Sequence, residues 1–184
     1  MGIIDARIHE NGLVALTGSL TLLEVKDWEG GKPLTLANPG AWVTCARIGT
    51  RGLSDTHTGL SEPPHAWAII PPDQNISRHV EALLSVESTI LVVDNLESLD
   101  QRVARGPFMR VSPSPNGKLL ALLNYSGLLW VVSTDFQRSL AEFDTQTAGA
   151  EGPVNQIEWC GNDAILVTWN HFALLVGPSG DTLR

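Results

Sequence analysis

Five histidines are the first residues of this sequence that could bind a metal or transfer a proton. They are His9, His57, His65, His79 and His171, and they are scattered along the chain. No two of them have the HxH or HExxH spacing that directs two imidazoles to one zinc ion. We interpret them as surface or turn residues, and we predict no metal site.

Three acidic residues, Asp94, Glu97 and Asp100, lie close together in the sequence. Paired carboxylates act as acid and base in glycosidases, and a hydrolytic or ligand-binding propeller enzyme is therefore an alternative. Here the three acids follow an apolar strand, where a solvated turn explains them. The sequence also has no GxGxxG, Walker-type or GxSxG motif. We predict a protein that is not an enzyme, with no catalytic and no cofactor-binding residue.

Charge and cysteine content narrow the class of protein further. The 184 residues carry a formal net charge of -8, which disfavours binding to nucleic acid and to anionic lipid. Cys45 and Cys160 are far apart, which fits a reducing compartment. No apolar run is long enough to span a bilayer, and the start has neither a basic leader nor a signal core. We expect a cytoplasmic protein.

The elements that position these residues are short apolar runs, rich in branched side chains and bounded by turn-forming residues. Such runs predict strands, and no segment has convincing helical periodicity. The predicted strands group into four units. Those of the first unit are at 12–17, 20–25 and 33–37, and those of the second are at 66–70, 80–86 and 89–93. Those of the third are at 108–111, 119–123, 128–132 and 139–143, and those of the fourth are at 154–159, 164–169 and 173–176.

The third and fourth units repeat each other. They superpose at an offset of 45 residues, which pairs Lys118 with Asp163, Leu119 with Ala164, Leu128 with Ala173 and Val131 with Val176. A repeat of four short strands every 40–45 residues or so is typical of propeller blades. We predict an all-β fold, a partial β-propeller of about four four-stranded antiparallel blades over residues 1–184, similar to WD-repeat propellers.

Residues 41–58 do not follow this pattern. They lack strand alternation, and connections between blades are normally a few residues long. We interpret this segment as an atypical insert or a disordered loop.

Four of the six tryptophans fall into two groups. Trp130, Trp159 and Trp169 lie inside apolar strands and are predicted core residues. Trp28 lies beside Asp27 and Glu29 at a predicted hairpin tip, and an exposed tryptophan can anchor a protein partner. Trp28 is therefore our candidate protein-interface residue.

The blade sequences resemble the fungal form of the vacuolar protein sorting-associated protein 16 family. The resemblance covers nearly the whole chain apart from the atypical segment. It is carried by residues 11–39, by RGPF at 105–108, by SPSPNG at 112–117, by SGLLWVVSTDF at 126–136 and by EWCGNDA at 158–164. Members of the family have a complete N-terminal propeller followed by an α-solenoid, and we expect this chain to be a truncated form that lacks the solenoid.

The resemblance implies a scaffold role in the HOPS and CORVET complexes, which tether vesicles before fusion at the endosome and vacuole. It implies other tether subunits as partners, small GTPases and SNAREs as indirect partners, and peripheral association with the late endosome or vacuole through the complex. A truncated product without independent function remains the other alternative.

Overall fold

The computed structural model describes residues 2–27, 29–38, 60–149, 152–177 and 181–183. In these ranges the chain forms β-strands and one 3-10 helix at Thr145–Ala148, with no α-helix. Within the same ranges, no helix could cross a membrane. The predicted all-β class is therefore confirmed. The strands are β1 (Ile3–His9), β2 (Gly12–Thr17), β3 (Leu22–Val25), β4 (Leu34–Thr35), β5 (Ala66–Ile70), β6 (Glu81–Val86), β7 (Thr89–Val93), β8 (Ser98–Asp100), β9 (Phe108–Pro113), β10 (Leu119–Asn124), β11 (Leu128–Ser133), β12 (Ser139–Asp144), β13 (Gln156–Cys160), β14 (Ala164–Thr168), β15 (Ala173–Val176) and β16 (Thr182–Leu183).

The strands form four sheets of four, and each sheet contains four strands that are consecutive in the sequence. We call them sheet A (β1–β4), sheet B (β5–β8), sheet C (β9–β12) and sheet D (β13–β16). Neighbouring strands are antiparallel, so each sheet is an up-and-down meander. This confirms the prediction of four four-stranded units. Sequence patterns marked three strands in sheets A, B and D, and they missed β1, β8 and β16.

The turn between β9 and β10 shows how the sequence fixes a hairpin. The hydroxyl of buried Ser114 donates to Asn116 Oδ1 (2.8 Å) and accepts the amide N–H of Leu119 (2.9 Å). Gly117 follows with a φ of +67°, which glycine adopts without steric cost. The SPSPNG sequence therefore forms a structural turn.

The chain divides into two compact units. The first contains the described parts of residues 1–64, 69–84 and 90–102, and the second contains residues 65–68, 85–89 and the described parts of 103–184. Sheet A belongs to the first unit, and sheets C and D belong to the second.

A continuous apolar core lies between sheets C and D in the second unit. Its members come from both sheets and from the connection between them: Ala121, Leu123, Leu129, Val131, Ala141, Ala148, Val154, Ile157, Ile165, Val167, Trp169, Leu174 and Val176. Fully burying one leucine or valine side chain contributes roughly 1.5–3 kcal/mol. Along the inner strands, Trp159 Nε1 donates to Ser112 O at 2.9 Å. Sheets C and D therefore form a common core instead of two separate ones.

The predicted offset of 45 residues holds for the second strands of sheets C and D but not for the third. Leu122 pairs with Trp130 in sheet C, whereas Val167, 45 residues after Leu122, pairs with Leu174 in sheet D. The offset between β11 and β15 is therefore 44 residues. The cause is the turn between β14 and β15, which is one residue shorter than its counterpart in sheet C.

This difference corrects two of the predicted equivalences. A one-residue change of register exchanges the two faces of a strand. The pairings of Leu128 with Ala173 and of Val131 with Val176 are wrong, and Val131 corresponds instead to Leu175.

Sheet A has two unlike faces. Val14, Leu16 and Leu22 are buried on one face. On the other face, the row Ile8, Leu13 and Val25 joins three strands, and its Ile8 side chain is 72% exposed. The open face of sheet A is thus apolar and partly accessible to solvent.

Candidate interaction surface

The described histidines lie in different environments. His65 and His171 are exposed and His79 is half-buried, whereas His9, at the end of β1, is buried. The interpretation of every histidine as a surface or turn residue is therefore wrong for His9, which lies on the buried face of sheet A. His57 is outside the described residues. Within the described part of the chain, no group of three or more His, Cys, Asp or Glu side chains could hold a metal ion.

Two of the three clustered acids hold turns through their carboxylates, Asp94 directly after β7 and Asp100 at the end of β8. Asp94 Oδ1 accepts the amide N–H groups of Leu96 (2.6 Å) and Glu97 (2.8 Å). Asp100 Oδ1 accepts the amide N–H of Arg102 at 2.7 Å. These carboxylates cap turns, which is the solvated-turn interpretation made from the sequence.

One carboxyl group has a displaced pKa, and its cause is also a turn. The Ser133 hydroxyl donates to Asp135 Oδ1, and the Gln137 amide donates to the same oxygen at 3.0 Å. Both bonds favour the ionised form, so they hold the pKa of exposed Asp135 below its usual value of 3.8. A general acid or base needs a pKa near the working pH, so this shift does not indicate catalysis.

The polar residues of β9 and β13, the first strands of sheets C and D, bond to one another and to residues of the adjoining turns. Arg110 Nη2 donates to Asn155 O at 3.0 Å, and Asn155 Nδ2 donates to Asn170 Oδ1 at 2.8 Å. Gln156 Nε2 donates to Glu158 Oε1 at 2.7 Å. In an enzyme of this architecture, we expect such groups to converge on a substrate. Here they bond along β13, from β9 to the residue before β13, and from that residue to the turn between β14 and β15.

The tryptophans predicted to be core residues are in the core. Trp130 and Trp169 are buried, and Trp159 is half-buried against the core between sheets C and D. Arg105 stacks on the Trp130 ring, 4.7 Å from its centroid, and pairs with Glu142. The candidate interface residue Trp28 and the predicted insert 41–58 lie outside the described residues, so both stay predictions.

Two exposed apolar side chains were missed by the sequence analysis. Ile76, in the connection between β5 and β6, is fully exposed (102%), and Leu96, in the turn between β7 and β8, is 77% exposed. We call this pair the tip surface. Each is a single apolar residue among polar turn residues, in QNIS at 74–77 and DNLE at 94–97. Isolation in a turn is visible in the sequence, but it does not by itself distinguish an exposed side chain from a buried one.

Comparison with known proteins gives the family. The sequence family described as "Vps16, N-terminal region" matches residues 60–184. A vacuolar protein sorting-associated protein 16 homologue of Dictyostelium discoideum is 30% identical over 176 residues, which is 91% of this chain and 18% of the relative. A probable homologue of Schizosaccharomyces pombe is 30% identical over 119 residues, 64% of this chain and 14% of the relative.

Solved structures give the fold. Hsv2 of Kluyveromyces lactis matches with a TM-score of 0.60 at 12% identity, over 98% of this chain and 49% of that one. The β-propeller domain of Myceliophthora thermophila Swd1 matches with a TM-score of 0.54 at 12% identity, over 96% of this chain and 56% of the other. These likenesses confirm the predicted partial β-propeller.

The chain spans about a fifth or less of the length of the two curated relatives described above. Its four meander sheets, the propeller likeness and the match over residues 60–184 agree with one another. The chain belongs to the Vps16 N-terminal-region family.

Proposed function

We propose that this chain is a non-enzymatic interaction module of a membrane-tethering complex, HOPS or CORVET, that acts in vesicle docking and fusion at the endosome and vacuole. The observation that carries the proposal is the family match over residues 60–184. The names of the relatives, which are vacuolar sorting proteins, support the same process.

The chemistry of the side chains supports a scaffold. Asp94, Asp100 and Asp135 bond to backbone amides of their own turns, and Arg110 bonds to the backbone carbonyl of Asn155, just before β13. Groups used in this way hold loops in place instead of leaving a reactive cluster. A rigid sheet that presents fixed loops is suited to docking proteins.

The partners that we propose are the other subunits of the tether, with small GTPases and SNAREs contacted indirectly. The protein would be cytoplasmic and would reach the late endosome or vacuole peripherally, through the complex. The net charge of -8 supports protein partners over nucleic acid or a direct contact with anionic lipid.

Co-purification tests the proposal. The full chain carries an affinity tag in cells of its own species, and recovered tether subunits are quantified by mass spectrometry. We expect recovery with the wild type and with Leu140→Ser, an exposed residue of β12. We expect loss with Leu123→Asp, which puts a charge into the core between sheets C and D.

The Leu140→Ser control distinguishes a loss of recovery caused by unfolding from an effect that any substitution would have. It does so because the Leu140 side chain is accessible to solvent, whereas that of Leu123 is buried. A wild-type chain that recovers no tether subunit would contradict the proposed function.

A further inference from the structure

The tip surface contains the two most exposed large apolar side chains of the described chain, Ile76 and Leu96. Scattered exposed apolar residues are ordinary on a protein surface. These two differ from the others because of where the topology places them and how their turns are held.

Both residues lie at the same end of sheet B. The sheet is an up-and-down meander in the order β5-β6-β7-β8. In such a meander, the first and third connections lie at one end and the second at the other. Ile76 is in the first connection and Leu96 is in the third. Both connections also belong to the first compact unit.

The loop that carries Ile76 is fixed by its own polar residues. Asn75 Oδ1 accepts the amide N–H of Ser77, and Asn75 Nδ2 donates to His79 O, both at 3.3 Å. The amide of Arg78 donates to Asn75 O at 3.2 Å. Ile76 is thus held between two residues of an ordered turn with its side chain outward.

Leu96 is held in the same manner. Its amide donates to Asp94 Oδ1 at 2.6 Å, and the Asp94 amide donates to Glu97 O at 3.0 Å. Binding by side chains on ordered turns costs less conformational entropy than binding by a loop that must first order. Both tips are therefore pre-organised for a contact.

The charges around the tips favour one kind of partner. Asp73 lies in the first loop, and Asp94 and Glu97 flank Leu96, whereas Arg78 is the one Lys or Arg in the two turns. An acidic surround attracts a basic surface and is repelled by an anionic bilayer.

We propose that Ile76 and Leu96 are anchors that dock another protein subunit of the tether, and that this subunit presents an apolar pocket with a basic rim. The proposal rests on the proposed function, which supplies the class of partner. Apolar anchors in a desolvated pocket carry a large share of the affinity of an interface, and the acidic surround gives a salt-dependent association rate.

The test compares two variants of the full chain, tagged and co-expressed with the other tether subunits. Ile76→Ser with Leu96→Ser removes the anchors, and Leu140→Ser is the matched control on β12. We expect the double variant to lower the recovery of one subunit about tenfold or more and the control to leave it unchanged. Ile76→Met with Leu96→Met keeps apolar tips and should restore recovery.

Three outcomes would overturn the proposal. Equal recovery with the double variant and the wild type would contradict the docking surface while leaving the proposed function intact. Loss of binding to phosphatidylcholine–phosphatidylserine vesicles, with subunit recovery unchanged, would show that the tips contact a membrane instead. A wild type that recovers no tether subunit would contradict both the docking surface and the proposed function.

Discussion

The two faces of sheet D differ in burial, even where both carry leucines. On one face, Ile165, Val167 and Leu174 are buried in the core shared with sheet C. On the other face, Leu166 and Leu175 lie in one cross-strand row and are half-buried. The second face also carries Gln156, Glu158 and Thr168, so residue type accounts for part of the difference. For the two adjacent leucines of β15, the difference comes from sheet C, which shares a core with the face of Leu174 and not with the face of Leu175.

Sheet A repeats the contrast in the first unit. Its face with Val14 and Leu22 is buried, whereas its face with Ile8 and Leu13 is partly exposed. Apolar burial is worth roughly 25 cal/mol per Å². For sheets C and D, we infer that each is stabilised mainly by the core that it shares with the other, as is usual for repeat architectures in which each unit contacts its neighbours.

The largest expected effect comes from two adjacent leucines of β15. Leu174→Ala leaves a cavity in the shared core, because Leu174 is 1% exposed, and it should lower the free energy of unfolding by about 3 kcal/mol. Leu175→Ala, on the half-buried face, should cost about 1 kcal/mol or less. Urea unfolding measures both. If the two variants lost equal amounts of unfolding free energy, the proposed difference between the two faces of sheet D would be contradicted.

A smaller effect is expected on the self-association of the isolated chain. The half-buried faces of sheets A and D should make the isolated chain marginally stable or self-associating, because apolar surface promotes association. Sedimentation velocity should show this for the wild type and show less of it for Leu175→Ser.

The control for this experiment is again Leu140→Ser, because Leu140 lies on the edge strand β12 of sheet C and belongs to neither sheet A nor sheet D. A wild type that is monodisperse and melts cooperatively as a monomer would contradict the prediction.

The smallest effect is expected on the pKa of Asp135, whose turn is held by hydrogen bonds from nearby residues of the same turn. The folded-state pKa of Asp135 is lowered, so its contribution to stability is present above the unfolded-state pKa and is lost as the pH falls through the lower folded value. Ser133→Ala removes the largest cause and should raise the pKa of Asp135 toward 3.8. An NMR titration of the Asp135 carboxyl measures the shift, and an unchanged pKa would refute the assignment of its cause.

Strand positions could be predicted from the sequence because apolar runs and turn residues act locally. The central strands β10 and β14 were predicted to start at Leu119 and Ala164, and they do. Strand β16 was missed because a run of two residues has no period. Length is not the whole reason, because seven-residue β1 alternates apolar and polar residues from Ile4 to His9 and was also missed.

What the sequence left undetermined depends on contacts between segments. The register of β15 shifts by one residue because of one shorter turn, and a fixed offset does not reveal this. The exposure of Ile76 and Leu96 depends on which loops extend from the sheet. A single apolar residue in a turn looks the same in the sequence whether it is buried or exposed.

A double-mutant cycle between sheets C and D tests the central claim most directly. Leu123→Ala, Val167→Ala and the double variant are compared by urea unfolding, since both residues belong to the shared core. If stacked sheets stabilise each other, the two substitutions should be coupled by about 0.5–3 kcal/mol. Costs that add to within about 0.5 kcal/mol would contradict the account, because the two sheets would then be stabilised independently.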